Sequence, residues 1–508
     1  MPRLALRQTA LAPSRLGGPG FCPACPVHRQ PLVHRYTSNG SARQRRRAGA
    51  HWAVLGAFAV AATVSIGYST SRKPETAVKG KAEHGRVPEV LSAATHVEDI
   101  KVTSPVRVLD LEAANAKIRE EARSFVFDSS DGVTGRVDVV RLSSNCPVED
   151  DWSVAVGKGV GGQKTLYTGV YDGHAGWATS TVLREALIPY VSTSLAGIAK
   201  PSDAGTVDAA IKRAFTQLDA RIMNTAQEAI NTHPPASAEG IAALAPAIAG
   251  SCALLSIYDP ASSILRTAVT GDSRAVLGKW SQDTKSHSAG TLSVDQTGFN
   301  EAEVDRLSRE HPGEIQDIVN PNSGRLLGMA VTRAFGDHRW KWPLELIQKA
   351  KGNFFAMDPR PKYQTPPYMT AEPEVTTREV RAEDFVILGS DGLWDYISNE
   401  DAVTCVSQWL SAQRKSSPAV ARKEETNGNG SPGLVVEKED WLSWKVTPED
   451  FVFEDLDSAA VCLVKNAFGG RQRGLFRGVV TAREPASRYV RDDITVMVVF
   501  FRDPKETK

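Results

Sequence analysis

Five acidic clusters stand beside short apolar runs: Glu149-Asp150-Asp151, Asp172-Gly173-His174, Gly271-Asp272-Ser273-Arg274, Asp391-Gly392-Leu393-Trp394-Asp395 and Arg491-Asp492-Asp493. Taken singly, an Asp-Gly after an apolar run reads as a turn. Taken together, strands that end in Asp at several points of the chain can converge their carboxylates at one sheet edge. Carboxylates gathered in this way repel one another and do not all stay ionised unless cations fill the space. An all-oxygen ligand set suits hard ions, Mg²⁺ or Mn²⁺. The sequence holds no HExxH, no GxxxxGK[ST] and no GxSxG, and no paired Cys/His motif competes as a metal site. The chemistry that fits is hydrolysis assisted by two metal ions.

The elements that must position these groups are legible in outline. Runs at Val137–Leu142, Trp152–Val156, Leu166–Val170, Ala253–Tyr258, Leu265–Val269, Ala275–Leu277, Phe385–Leu388 and Ile494–Phe501 are rich in apolar and β-branched residues with turn-rich flanks, and read as strands. Helical patterns fall at about 111–123, 176–197, 207–230, 300–310, 399–412 and 455–468. Grouped strands with helices in pairs predict a layered α+β fold rather than strict βαβ alternation. The Ala- and Pro-rich segment 231–249 and the polar segment 412–440 read as insertions projecting from the surface. Residues 72–110 read as a linker and 111–505 as the folded body.

The chain has 508 residues, 41% hydrophobic and 23% charged, which excludes a collagen-like, fully disordered or polytopic membrane protein. Its charge is unevenly spread. The first acidic residue is Glu75, and residues 1–74 hold ten Arg and one Lys. Removing those 11 from the 60 basic residues leaves 49 against 59 acidic ones in the remainder. An acidic body argues against nucleic acid as the partner, because phosphate backbones need a basic surface. Residues 1–50, basic and free of acid, have the composition of a mitochondrial presequence. Trp52–Tyr68 follows, 17 residues without a charge, at the short end of what spans a bilayer. It is read as a single membrane anchor, against a continuation of the presequence or a buried helix. If it spans, the arginines before it stay on the matrix side and the body after about residue 75 lies in the intermembrane space; if it is cleaved or fails to stop, the body is in the matrix. Cys22 and Cys25 form a lone CxxC inside the basic head. Cys146, Cys252, Cys405 and Cys462 are scattered and read as buried thiols.

Five motifs in order, YDGHAG (171–176), TGDSRAVLG (270–278), AVTRAFGD (330–337), ILGSDGLWD (387–395) and RDDITVMVVFF (491–501), resemble the metal-dependent type 2C family of Ser/Thr protein phosphatases over about 120–502. NCPVEDD (145–151), NEAEVDRLSREHP (300–312), RLLGMAVTRAFGDHRWKW (325–342), PPYMTAEPEV (366–375) and SRYVRDDITV (487–496) resemble its mitochondrial pyruvate dehydrogenase phosphatase branch. The resemblance implies a four-layer α/β/β/α sandwich of two antiparallel sheets flanked by helix pairs, with metals at one end. By motif position, Asp172 would bridge two Mg²⁺ or Mn²⁺ ions and the Gly173 carbonyl would complete the second. Asp391 and Asp492 would hold the first. Glu149 and Asp150 would act through metal-coordinated water, and Asp272 and Asp395 match a weaker third site. Two cations sharing Asp172 would lower the pKa of a bridging water and neutralise charge on the phosphoryl oxygens. His174 is the candidate general acid for the Ser or Thr leaving group, against a structural hydrogen bond.

The resemblance also implies a phosphoprotein substrate, the phosphorylated α subunit of pyruvate dehydrogenase, as partner. Another mitochondrial substrate and a non-catalytic phosphoprotein binder are the competing readings. Two departures stand out. Many members carry an Arg that binds substrate phosphate where this chain has Asn145, a neutral residue with two amide donors, which the resemblance makes a weak contact for substrate phosphate. Ala175 stands where the family often has Gly, a small change if a helix starts there. Arg333 and Asp337 are read as a structural ion pair or as lining the site, and Trp340 and Trp342 as core or partner-facing.

Overall fold

The computed structural model describes residues 106–129, 132–415, 434–436 and 442–506. The presequence-like head, the Trp52–Tyr68 segment and most of the 72–110 linker expected above lie outside them. Among the described residues, no helix is long and apolar enough to cross a membrane.

In chain order the strands are β1 (Arg123–Asp128), β2 (Thr134–Leu142), β3 (Asp151–Lys158), β4 (Lys164–Tyr171), β5 (Gly173–His174), β6 (Gly250–Ser251), β7 (Ala253–Asp259), β8 (Ile264–Thr270), β9 (Arg274–Ser281), β10 (Ser286–Thr291), β11 (Phe335–Gly336), β12 (Glu374–Glu379), β13 (Phe385–Gly389) and β14 (Ile494–Phe500). Eleven of them build a six-stranded sheet ordered β1-β2-β14-β13-β9-β10 and a five-stranded sheet ordered β12-β8-β7-β4-β3, and β11, β6 and β5 form a small third sheet; two two-stranded pairs, 319–320 with 325–326 and 434–436 with 442–444, stand apart. Every pairing in the two large sheets is antiparallel.

Side-chain alternation shows how the layers stack. Val137, Val139, Val386, Leu388, Met497 and Val499 of the first sheet share one buried cluster with Leu166, Val170, Leu254, Tyr258 and Val269 of the second, so the two sheets face each other. The intervening residues Val140, Ile387, Val496 and Val498 point the other way, into a cluster with Val406, Trp409, Cys462 and Phe476. Those come from helices Asn399–Lys415, Ala459–Ala467 and Arg473–Thr481. Tyr167, Leu255, Ile257 and Ala268 of the second sheet likewise pack on helices Ala178–Ala196 and Ala204–Thr232. The expected four layers are therefore present. Strands covered on both faces need apolar residues at every position, which is why the runs read as continuous rather than alternating. Each fully buried aliphatic or aromatic side chain contributes roughly 1.5–3 kcal/mol.

The helices carry their own signals. Leu183, Leu187, Val191 and Leu195 recur at four-residue spacing along Ala178–Ala196 and form its buried stripe. Asp203 caps Ala204–Thr232 by accepting from the Thr206 N–H at 2.9 Å.

The segment 231–249 does not project as a loop. Ala238–Ile248 is a helix capped by Ser237, with Leu244 and Ala247 buried in the second-sheet helical layer. Ala has the highest helix propensity, and Pro246 falls near its end, so the Ala-rich composition signalled a helix. Of 412–440, the helix Asn399–Lys415 continues to Lys415 and residues 434–436 pair with 442–444. Residues 416–433 and 437–440 lie outside the described part. Cys146 is exposed, not buried as expected, while the other three cysteines of the body are buried. Trp340 and Trp342 are core residues, 3% and 4% exposed.

Candidate active site

The antiparallel registers put every acidic cluster at one end of the sandwich. In the second sheet Tyr171 is level with Asp151, and Thr270 with Ala253, so the residues just beyond β4 and β8 and just before β3 share an edge. In the first sheet Gly389 is level with both Arg274 and Val496, so Asp391 and Asp492 lie at the matching edge. Strand ends are where side chains leave the packed layers and can serve chemistry.

Three carboxylates meet there. Oxygens of Asp172, Asp272 and Asp391 all lie within 4.8 Å of one another, each side chain partly exposed. The Asp391 N–H donates to Asp172 Oδ2 at 3.4 Å. Asp150 is almost fully buried beside them and accepts from Thr495 Oγ1 at 2.8 Å. Loss of hydration, then the charges of Asp391, Asp150 and Asp272, hold the Asp172 carboxyl well above the usual carboxylate range. Burial and the Asp272 charge push Asp391 up to about 7. Asp150, Asp272 and Glu149 are raised too, burial being the largest cause for each. Mutual repulsion of this kind is relieved by hard cations, and an all-oxygen donor set fits Mg²⁺ or Mn²⁺.

The other expected residues take distinct places. Glu149 is held by its neighbours: Oε1 accepts from the Gly176 N–H at 2.7 Å and Oε2 from Asn145 Nδ2 at 3.0 Å. Asn145 Nδ2 also reaches Asp493 Oδ2 at 3.2 Å, so this amide clamps two carboxylates. Asp492 pairs with Arg488 and is not one of the three convergent carboxylates. Asp395 is exposed at the end of the short helix Asp391–Trp394 and also lies outside that group. Gly173 is where only glycine fits, since a Cβ would collide with the Glu149 carbonyl. Ala175 is not at a helix start: the helix begins at Ala178, and Ala175 has φ 56°, a left-handed conformation that disfavours any side chain by about 1 kcal/mol.

His174 has a partner that sequence reading did not assign. Its Nε2 lies 2.7 Å from Asp337 Oδ2, and Asp337 is 1% exposed. The expected pairing of Asp337 with Arg333 is not made. Arg333 bonds Glu303 instead, Nε to Oε1 at 3.0 Å. Asp337 is brought in by β11, whose Gly336 pairs with Gly250 of β6 while His174 of β5 pairs with the same residue from the other side. A Cβ at Gly250 would strike both His174 Nε2 and the Asp337 carboxylate. Burial pulls the imidazole toward neutrality, but the Asp337 charge and hydrogen bond outweigh it, and His174 ends above its ordinary value. Asp337→Asn removes that support. The alkaline limb of the pH–rate profile is expected to move to lower pH, with roughly a 10- to 100-fold loss near pH 8. The same loss with an unmoved limb would show that Asp337 does not act through the His174 proton.

The protein phosphatase 2C family model matches residues 156–427. The chain belongs to the protein phosphatase 2C family. It is a metal-dependent protein Ser/Thr phosphatase of mixed antiparallel-sheet and helix architecture, as the motifs implied. It is 36% identical to a protein phosphatase 2C homolog of Schizosaccharomyces pombe over 77% of this chain and 85% of that one. It is 33% identical to the mitochondrial [pyruvate dehydrogenase [acetyl-transferring]]-phosphatase 1 of Saccharomyces cerevisiae over 78% and 74%. The human protein of that name is 30% identical over 71% and 76%.

Proposed function

We propose that this phosphatase removes phosphate from Ser or Thr of the pyruvate dehydrogenase α subunit in mitochondria. The observation that carries the hydrolytic reading is the meeting of Asp172, Asp272 and Asp391 at one sandwich edge. The substrate reading is supported by the mitochondrial pyruvate dehydrogenase phosphatases among the relatives, and the location also by the acid-free basic head. Asp172, the Gly173 carbonyl, Asp391 and Asp492 would hold two Mg²⁺ or Mn²⁺ ions, with Glu149 and Asp150 behind them and Asp272 and Asp395 offering a third position. Bound there, such ions supply an activated water and neutralise phosphoryl charge. His174, kept protonated by Asp337, gives its proton to the departing Ser or Thr oxygen. Asn145 fixes the orientation of Glu149 and Asp493.

The test uses the full chain on a phosphothreonine peptide and on phosphorylated pyruvate dehydrogenase complex. Turnover of both is expected to vanish with EDTA and return with Mn²⁺ or Mg²⁺. Hydrolysis indifferent to chelation would overturn the mechanism, and peptide turnover without action on the complex would overturn the substrate. Trp52–Tyr68 favours a second reading, an anchored enzyme with intermembrane-space substrates. Protease digestion of mitoplasts separates the two, since only that arrangement exposes the body once the outer membrane is opened.

A further inference from the structure

Among the described residues, five arginines belong to the acidic clusters or pair with them, and four of these are held mainly by groups other than the expected cation ligands. Arg184 bonds Asp151 at 2.8 Å and Glu185 at 3.0 Å. Arg141 bonds Glu121 at 2.6 Å and the Asp150 carbonyl at 2.7 Å. Arg274 is gripped by both oxygens of Asp295, at 2.9 and 2.6 Å, by Asn399, and lies over Trp394. Arg491 is buried and donates to the Ser143 carbonyl at 2.6 Å. Arg488 differs from these four in pairing with an expected cation ligand while open to solvent. Its guanidinium pairs with a cluster carboxylate, Asp492, and its side chain is 43% exposed.

Its backbone is firmly placed. Arg488 sits in the short turn Ala486–Tyr489, whose Ser487 is fully buried. Ser487 Oγ donates to the Ser144 carbonyl, the residue before Asn145. The Ser487 carbonyl accepts from the Val490 and Arg491 N–H groups at 2.8 and 2.9 Å. The turn is thus tied to the connection between β2 and β3 that carries Asn145 and Glu149. Asn145, the other donor beside the cluster, already spends its amide on Glu149 and Asp493. A phosphomonoester dianion arriving at this edge needs a planar, charged, two-pronged donor that is open to solvent.

We propose that Arg488 grips the substrate phosphate, exchanging its ion pair with Asp492 for the phosphoryl oxygens when Asp492 turns to a cation. This rests on the hydrolytic reading of the site, and its test is built on binding so that it does not depend on turnover. The probe is inorganic phosphate, titrated calorimetrically into the Mn²⁺-loaded full chain. Arg488→Ala is expected to weaken phosphate binding about tenfold or more. Arg488→Lys, which keeps charge without the fork, should fall between that and the native chain. Mn²⁺ binding without phosphate should tighten severalfold in Arg488→Ala, because Asp492 loses its competitor. In turnover, KM for a phosphopeptide should rise more than kcat falls. Phosphate affinity within twofold of native in both variants would overturn the proposal, as would weaker Mn²⁺ binding in the Ala variant. Absence of metal-dependent turnover in the native chain would instead count against the hydrolytic reading, leaving the phosphate titration to decide Arg488.

Discussion

Asp391→Asn is expected to abolish metal-dependent turnover and yet leave the metal-free protein more stable than the native chain. The two effects share one cause. Burial and the Asp272 charge push the Asp391 carboxyl up to about 7, against 3.8 for an unstrained Asp. The folded state therefore holds a proton that the unfolded chain releases from about pH 4 upward. Where the native state binds more protons than the unfolded one, stability falls as pH rises. Native stability should thus decline between about pH 4 and 7 and level off beyond. An amide of the same shape carries no charge to desolvate and escapes that loss. After discounting for partial exposure, the gain is on the order of 1–3 kcal/mol above pH 7 and close to nothing at pH 4. Calorimetric melting in EDTA should show the variant a few degrees higher at pH 8, with the gap closing toward pH 4.5. Turnover should drop about a thousandfold or more, since a lost cation ligand removes several kcal/mol of charge stabilisation. A variant that melts lower than native at pH 8 in EDTA would show that the clustered carboxylates are not repelling one another. Sites of this type retain destabilising groups because the function needs them.

The same physical contrast explains what could be read from the sequence and what could not. Strands β2, β7, β13 and β14 are buried on both faces, so their continuous apolar runs stood out. Edge strands β1 (RSFVFD) and β12 (EVTTRE) are largely exposed or half-buried, carry charge, and match no apolar template. The residues Asp172, Asp272 and Asp391 were legible because each follows an apolar run and the motifs recur in order. Asp337 reads locally as a partner of Arg333 or as lining the site, and the fold pairs it with His174 instead of Arg333. It lies 163 residues from His174, just after a two-residue strand, in a left-handed conformation. Nothing local marks such a contact, since it is created by the β5-β6-β11 pairing alone. Arg488 was hidden for a related reason: its value lies in facing a cluster assembled from four distant segments. Asn145 shows the converse. Expected as a weak contact for substrate phosphate, it turns its donors inward to Glu149 and Asp493, which only the packed strand ends reveal.

Cation binding is expected to release protons and to strengthen steeply from pH 6 to pH 8. Asp172, Asp150, Asp272 and Asp391 are all raised, first by burial and then, for most of them, by one another. Ligand oxygens must be ionised to bind a hard cation, so protons held by the cluster compete with it. With Asp391 near 7, about one proton should leave per cation bound at pH 6.5, and apparent affinity should change up to tenfold per pH unit below that point. The melting upshift given by saturating Mn²⁺ should therefore be larger at pH 8 than at pH 6, because the metal-free protein is weakest and the bound form strongest at high pH. Titrations of Mn²⁺ in two buffers of different ionisation enthalpy count the protons directly. The acid limb of turnover then belongs to the carboxylates and the alkaline limb to His174, whose raised value keeps the imidazolium available as the cluster ionises. The two shifts widen the pH range in which a charged metal cluster and a protonated acid coexist, which phosphoester hydrolysis requires. If Mn²⁺ binding released no protons and its affinity were flat across pH 6–8, the cluster would already be ionised in the free protein. The acid limb would then have to be assigned to another group.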